Sequence, residues 1–478
     1  TPDSRRRRAS KLAHERGGIK KAAATLVSSG AAPRNQQTLE TLRSKHPWED
    51  PAAIAARKEA AEKLMQEPPP ETPQGIPEID DPFEPWAVRD AIMKVNPQSL
   101  PGPSGLRHCH LQDSLDEELV EDIANGARMM FSSTTLPELF WALHTSANLS
   151  TLGAKARPVA CGDVFRRMIG ATFCSDYSEQ LAEHFEPRGQ YGVAAPGEVE
   201  LMVLATTLRF EEGSTILLFD GQNAFNSMFR HRFLPALATV IPVAVTYAAN
   251  LYAGVPPKIL FAMEDGTTAI IDSARGVQQG CNIGGLCYSA GGLPPLERFR
   301  AHPPVAGPII SAFIDDIVVS LPPEKSGDMA AVAAVTAWVQ ENLSPEGVTL
   351  NRNKSHILLP GGFGADTLPA AQLAILEETG LAVAEGGMRI LGVPVGTEQF
   401  QRDFVREGMR GEPTELLRAL APMEDAQAGF QILRLSAAAK TAFTLRTVRP
   451  DITKEAAEEF DKHYEWALAS IIAGPGAG

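Results

Sequence analysis

A chain of 478 residues with 44% apolar side chains has enough core-forming material for roughly two to four folded units. Its net charge of −14 excludes a protein that is basic throughout, although net charge says nothing of a local groove. Cys109, Cys161, Cys174, Cys281 and Cys287 are too few and too scattered for a disulfide framework or a zinc finger, which fits a reducing, intracellular setting. There is no signal peptide and no apolar run of about 18 residues. The first residue is Thr1, so a fragment of a longer reading frame is expected.

Residues 1–21 carry Arg5, Arg6, Arg7, Arg8, Lys11, Arg16, Lys20 and Lys21 against Asp3 and Glu15. This run reads as a nucleic-acid-binding arm, a nuclear-import signal or a solvated, disordered tail. Residues 49–90 reverse the sign, with 11 acids and 4 bases. There Glu67 to Pro73, followed by Pro77, Pro82 and Pro85, reads as an extended linker with a boundary near residue 75. A helix is predicted from Trp86 to Val95, entering the rigid turn Leu100 to Gly105, and further helices over 115–131 and 136–147.

Lys155 and Arg157 lead into a short strand. Two apart, they face one side of it, where they either hold a polyphosphate or remain solvated loop cations. Asp163 is placed to cap a helix carrying Arg166 and Arg167. Thr215 to Phe219 forms an apolar strand ending in Asp220, followed by a turn over 221–226 and a helix over about 229–253. An acid at that place serves as a metal ligand or caps the next helix. Lys258 to Glu264 and Thr267 to Asp272 flank Asp265-Gly266 as a hairpin with a type I′ turn. Arg275 to Gly280 is a glycine-bounded loop entering a helix over 284–300.

Asp315 and Asp316 stand between the apolar runs 308–314 and 317–319. Such runs read as buried strands, which puts the acids at a tight turn. Two adjacent like charges are costly to bury without a bound cation; the alternative is an Asp-Asp turn at the surface. A helix over 327–343, the segment Gly347 to Ser355, and strands at His356–Leu359 and Met388–Val395 follow. From about residue 400 the pattern is helical, with Arg434, Lys440, Arg446 and Arg449 as a basic face. No internal repeat and no GxxxxGK[ST] or GxGxxG phosphate loop is present.

If the strand ending at Asp220 neighbours the hairpin of Asp315 and Asp316 in one antiparallel sheet, the carboxylates converge. Converging carboxylates hold two divalent cations that clamp the attacking and leaving oxygens of an in-line phosphoryl transfer. Magnesium suits the site, because it takes one or two carboxylates together with substrate phosphates.

Taken in order, these motifs resemble the reverse transcriptases of non-LTR (LINE-type) retrotransposons. FDGQNAFNS, Phe219 to Ser227, resembles the family's first metal motif and implies Asp220 as a ligand. Phe225, five positions on, then packs against the sugar of the incoming nucleotide and excludes a 2′-hydroxyl; plain core packing is the alternative. RGVQQG, Arg275 to Gly280, resembles the template-and-nucleotide loop, implying that Gln279 contacts the nascent pair and Gly280 lets the backbone approach it. FIDD resembles the aromatic-x-Asp-Asp turn, making Asp315 and Asp316 the other metal acids. LNRNKS, Leu350 to Ser355, implies Lys354 as general acid for the leaving pyrophosphate. Leu391-Gly392 resembles the primer-gripping hairpin, and Lys155 and Arg157 before Pro158 resemble the finger cations that hold the triphosphate. PGPSG, Pro101 to Gly105, and QYGVAAPG, Gln190 to Gly197, resemble further segments of the family. The likeness runs from about residue 85 to 465, and the Gln-Gly loop argues against RNA-templated RNA polymerases. The chain departs from the family at Cys281-Asn282-Ile283-Gly284-Gly285, which stand where Asp-Pro-Leu-Gly-Pro is usual, and at Ile314, where Ala is usual.

The resemblance implies an α+β chain with the right-hand polymerase fold. Its parts are an N-terminal extension over 1–75 (basic arm and Pro-rich acidic linker), fingers over 76–215 with part of 240–280, a palm with an antiparallel sheet over 216–395, and a helical thumb over 396–478. It implies an RNA-directed DNA polymerase that adds dNTPs to a primer 3′ end with two Mg2+ ions, Mn2+ serving as a substitute. The partners are an RNA template and a DNA primer or target, with no membrane. An endonuclease, RNase H domain or zinc knuckle is not visible in the chain, and nuclear action after cytoplasmic synthesis is expected. A rival reading is a decayed or domesticated reverse-transcriptase-like scaffold that binds RNA or protein without polymerising; the acidic balance and the altered loop favour it, the intact acids oppose it.

Overall fold

The computed structural model describes residues 1–28, 30–66, 75–80, 82–132, 136–153, 156–194 and 196–474; the Pro-rich stretch over 67–73 lies outside them. In chain order the strands are β1 (Ala147–Leu152), β2 (Arg157–Gly162), β3 (Thr215–Phe219), β4 (Lys258–Ala262), β5 (Thr268–Asp272), β6 (Ile309–Phe313), β7 (Asp316–Leu321), β8 (His356–Leu358), β9 (Ala382–Val383), β10 (Gly387–Ile390) and β11 (Val393–Gly396). They form three sheets among many helices, an α+β architecture.

β3 is the middle strand of a five-stranded sheet ordered β6-β7-β3-β8-β9. Its pairings are antiparallel apart from β8 with β9, which run parallel, so the sheet is mixed and not wholly antiparallel as expected. The run TILLF carries no polar residue after Thr215 because both of its faces are covered. Leu217 and Phe219 pack with Met329, Val332, Val335 and Val339 of the helix Met329–Leu343. Ile216 packs on the other side with Met202 and Val203 of the helix Glu198–Glu211. Side chains alternate across a strand, and each one so buried stabilises the sheet by about 1.5–3 kcal/mol.

A second sheet, ordered β2-β1-β4-β5, contains the expected hairpin of residues 258–272. Its turn is not type I′, which needs positive φ at both central residues: only Gly266 is positive, at 84°, and Met263 N–H donates to Thr267 O at 2.8 Å across a longer loop. β1 occupies the end of the stretch expected as helix over 136–147; the helix there ends at His144.

The described residues before position 67 are not an unstructured arm. Helices Pro2–Ala13 and Ile19–Val27 bury Ala9, Leu12, Ala13, Ala22, Ala23 and Leu26 in the core shared with Leu416, Leu417, Leu420, Met423 and Ile432. The basic residues hid an apolar stripe at helical spacing. Helix Gln36–Ser44 lays Leu39 and Leu42 on Leu149, Ile259 and Phe261 of the second sheet. Helix Pro51–Gln66 buries Arg57, which pairs with Glu49 and donates to the carbonyls of Ala253 (3.2 Å) and Ala274 (2.9 Å).

Helices run from Glu398 to Ala473 at the C-terminal end. Three members of the expected basic face are tied to acids of the chain itself: Lys440 to Glu412 (2.6 Å), Arg446 to Glu200 (3.0 Å) and Arg449 to Glu211 (3.5 Å). Among the described residues no helix is long and apolar enough to cross a membrane.

Candidate functional site

Register brings the acids together. Phe219 of β3 lies opposite Ile317 of β7, so Asp220, one step beyond the strand, comes level with Asp316 at the start of β7. Phe313 of β6 pairs with Asp316, which leaves Ile314 and Asp315 as a two-residue turn. Ile314 has φ 57°, and Asp315 is not in the positive region. Positive φ at the first central residue alone is a pattern that favours glycine there, and a β-branched residue is an outlier in it.

The segment after the helix Ser178–Phe185 holds this turn. Tyr191 N–H donates to Ala312 O (2.7 Å) and Ala312 N–H to Gly189 O (2.8 Å), so the segment rides along β6. The buried Gln190 reaches the turn itself: its Oε1 accepts from Ile314 N–H at 2.8 Å, and its Nε2 donates to Ile314 O at 3.3 Å. A Cβ on Gly192 would stand 2.4 Å from Ile314 Cγ1, so only glycine fits against this turn.

Asp220 is held from the segment 349–355. Asn351 Nδ2 donates to Asp220 Oδ2 at 2.9 Å, Lys354 Nζ lies 3.5 Å from the same oxygen, and Asp220 N–H donates to Ser355 Oγ at 3.0 Å. The main chains also join, Asn351 N–H to Asp220 O at 2.8 Å and Gln222 N–H to Thr349 O at 2.7 Å. Burial raises the pKa of Asp315, and the charge of Asp220 adds to the rise against the pull of Arg157 and Lys354. Burial, then Asp315, then Asp220 push Asp316 up to about 6. The buried Tyr288 phenol beneath them is raised by burial and by the same three acids. The site therefore concentrates negative charge in a place that resists it.

Arg157, Gln279 and Gly280 come together on the neighbouring sheet. With its amide oriented to satisfy its neighbours, Gln279 donates to Pro158 O (2.6 Å) and accepts from Arg157 Nε (2.9 Å) and Nη2 (2.8 Å). Ala160 N–H donates to Gln279 O at 2.7 Å. Gly280 has φ 110°, and a Cβ there would meet Ala160 O at 2.6 Å, so the loop can approach β2 only through glycine. Phe225 is stacked on Tyr288 and tied to this loop, Val277 N–H donating to Phe225 O at 2.8 Å. Lys155 lies outside the described residues. Leu391 and Gly392, both at positive φ (48° and 92°), form the tip of the separate β10–β11 sheet. A Cβ on Gly392 would face Phe443 at 3.5 Å, so this hairpin looks toward the C-terminal helices and is not joined to the acids.

Four supporting residues escaped the sequence reading. Asn351 and Ser355 lie inside the LNRNKS motif around Lys354, and Gln190 opens the QYGVAAPG segment, in which no residue was singled out. Arg230 is fully buried and donates to the carbonyls of Gly276 (2.9 Å), Tyr252 (3.0 Å) and Ser273 (2.6 Å), pinning the approach to the Arg275–Gly280 loop; at the start of the helix Arg230–Val240, beside His231 and Arg232, nothing in the sequence sets it apart. The donors for a cation are carboxylate oxygens, which suit a hard divalent ion. Among the described residues no three His, Cys, Asp or Glu side chains form a ready-made metal cage, so an ion here takes further oxygens from substrate or water.

No protein-family model matches the chain. It is 24% identical over 470 residues, 95% of its length, to the retrotransposable element SLACS 132 kDa protein of Trypanosoma brucei gambiense, and it spans 37% of that protein. Over nearly its whole length, then, the chain is similar to part of a retrotransposon protein.

Proposed function

We propose that this chain is an RNA-directed DNA polymerase of a non-LTR retrotransposon, with the right-hand polymerase fold and the five-stranded sheet as its palm. The observation that carries the reading is the level placement of Asp220 with the Asp315-Asp316 turn through the β3–β7 register. The likeness to the SLACS protein supports a mobile-element setting, and so does the order of the motifs.

Asp220, Asp315 and Asp316, together with oxygens of substrate or water, would hold two magnesium ions, with manganese as a substitute; when bound, the ions would activate a primer 3′ hydroxyl and neutralise the leaving pyrophosphate. Arg157, steadied by Gln279, offers its guanidinium to the triphosphate, and Lys155 precedes it in the chain. Phe225 forms the floor under the sugar and excludes a 2′-hydroxyl. Gly280 lets the loop backbone come close to the nascent pair. Lys354, exposed and beside Asp220, gives a proton to the leaving group. Leu391 and Gly392 would grip the primer from the β10–β11 hairpin. Rate enhancement then comes from positioning and charge neutralisation. An RNA template and a DNA primer or target are the partners, and the nucleus is the site of action.

The test is primer extension on an RNA template with dNTPs. Extension that needs Mg2+ or Mn2+ and disappears in Asp315→Asn supports the proposal. RNA binding without extension under either metal would instead favour a non-polymerising scaffold.

A further inference from the structure

We propose that Gln190 is a positioning residue for the metal-binding turn: its side-chain amide grips both main-chain groups of Ile314 and holds the turn in the strained form that presents Asp315 and Asp316 to a cation. The inference rests on the polymerase reading of these acids and adds a residue that no motif assigns to them.

The turn cannot be explained from its own residues. Ile314 sits at φ 57°, where the Cβ of an L-residue crowds the backbone and a β-branched side chain is least at home. Left alone, the peptide would rotate toward negative φ. That rotation would swing Ile314 N–H and C=O out of line and carry Asp315, the next residue, with them.

Gln190 opposes that rotation on both sides. Its Oε1 accepts from Ile314 N–H (2.8 Å) and from Gly192 N–H (3.0 Å), and its Nε2 donates to Ile314 O (3.3 Å). Oxygen toward two donors and nitrogen toward an acceptor leaves one sensible orientation of the amide. The residue is 1% exposed, so water cannot replace these bonds. It is itself anchored: its N–H donates to Phe185 O at 3.1 Å, and it forms a parallel bridge with Ala312 of β6. Gly192 completes the cradle by leaving room for the Ile314 side chain. The Gln190–Ile314 contact spans 124 residues of sequence, so the non-helical segment that precedes the helix Glu198–Glu211 sets the geometry of the turn between β6 and β7.

The experiment compares the wild-type chain, Gln190→Met and the double variant Gln190→Met/Ile314→Gly. Methionine keeps the volume of glutamine but makes none of the three bonds, and glycine adopts positive φ unaided. Equilibrium Mn2+ binding is read by electron paramagnetic resonance, and single-nucleotide extension gives kcat and KM for dNTP at several Mg2+ concentrations. Gln190→Met is expected to bind Mn2+ about tenfold or more weakly, as loss of an outer-sphere partner does, with kcat reduced and KM for dNTP little changed. The double variant is expected to recover most of the Mn2+ affinity. A merely structural glutamine would lower thermal stability without a metal-specific loss that Ile314→Gly restores. Mn2+ binding by Gln190→Met equal to wild type, or a loss that Ile314→Gly does not recover, overturns the inference while leaving the polymerase reading intact. Wild-type chain that binds no Mn2+ overturns both. If Gln190→Met does not fold, Gln190→Asn, whose amide is too short to reach Ile314, is held to the same outcomes.

Discussion

Phe225 lies flat on Tyr288, their ring centroids 5.0 Å apart and their planes 3° from parallel. Tyr288 is buried, so one ring serves as the bed on which the other is aimed. Phe225→Ala is expected to admit ribonucleotides, with a reduced ratio of dNTP to NTP incorporation in single-nucleotide extension. Phe225 is only half-buried, so its truncation should cost about 2 kcal/mol, less than a fully buried Phe. An unchanged sugar preference at that cost would return Phe225 to plain packing.

The crowding of Asp220, Asp315 and Asp316 implies a trade between stability and activity. In the metal-free protein the Asp315 carboxylate is disfavoured by burial and by Asp220. Asp315→Asn should therefore melt at a higher temperature than wild type in EDTA at neutral pH, while extending no primer. Added Mg2+ should raise the wild-type melting temperature more than that of the variant. A variant that melts lower in EDTA would show that Asp315 is held by favourable contacts.

Two glycine substitutions should part company. Gly192→Ala pushes a Cβ to 2.4 Å from Ile314 Cγ1 and 2.7 Å from Ile314 N, and overpacking of that kind costs about 1–3 kcal/mol or more. Gly408, inside the helix Glu398–Arg410, would place its Cβ in open space; Gly408→Ala should stabilise by roughly 0.8–1 kcal/mol through helix propensity. Denaturant midpoints of the two variants measure both signs.

Acid should weaken the fold through buried histidines. Burial and the nearby Arg166 lower His144 to about 3, and burial with Arg167 lowers His108 to about 4. The unfolded chain takes up these protons near pH 6.5 while the native state refuses them, so stability falls as pH drops from about 6.5 toward 3–4. The slope approaches ~1.4 kcal/mol per pH unit for each group inside that window. His144 Nε2 lies 3.0 Å from Tyr247 Oη, so His144→Gln keeps a partner for the phenol and should flatten the profile between pH 6 and pH 4. Urea midpoints at stepped pH test this.

The ion pair of Arg57 with Glu49 is an internal fastener of the N-terminal third, with Arg57 only 3% exposed. Glu49→Gln leaves that guanidinium buried without its counter-charge, a loss of about 3–5 kcal/mol. Arg57→Met, which fills the space without the charge, should be markedly milder. Equal losses in thermal melts would mean that the carbonyl contacts of Arg57, not the ion pair, hold the helix Pro51–Gln66.

What was legible in the sequence was local and strongly patterned. TILLF, the hairpin around Asp315 and Asp316 and the Arg275–Gly280 loop announce themselves by apolar runs and by glycines whose positions only glycine can fill. The N-terminal helices were misread because eight basic residues dominate a segment whose buried stripe is mostly alanine, a weak apolar signal. β1 was lost to a helix because Ser146 and Ala147 carry no breaker. The basic face at the C-terminal end dissolved into ion pairs with Glu200, Glu211 and Glu412, contacts between residues far apart in the chain that no local pattern encodes. Gln190 stood in a recognised segment, but its role was hidden for the same reason: its partner lies 124 residues away.

β3 pairs along five registers with β7 and three with β8, and it has no free edge along which to slide. A strand clasped on both sides moves only in whole residues, and each step of about 3.3 Å turns every side chain to the opposite face. An insertion or deletion of a single codon between Gly213 and Asp220 would therefore be read as a change of address for Asp220, while the loops outside the sheet can grow or shrink freely. Natural length variation in relatives of this chain should avoid that one short window.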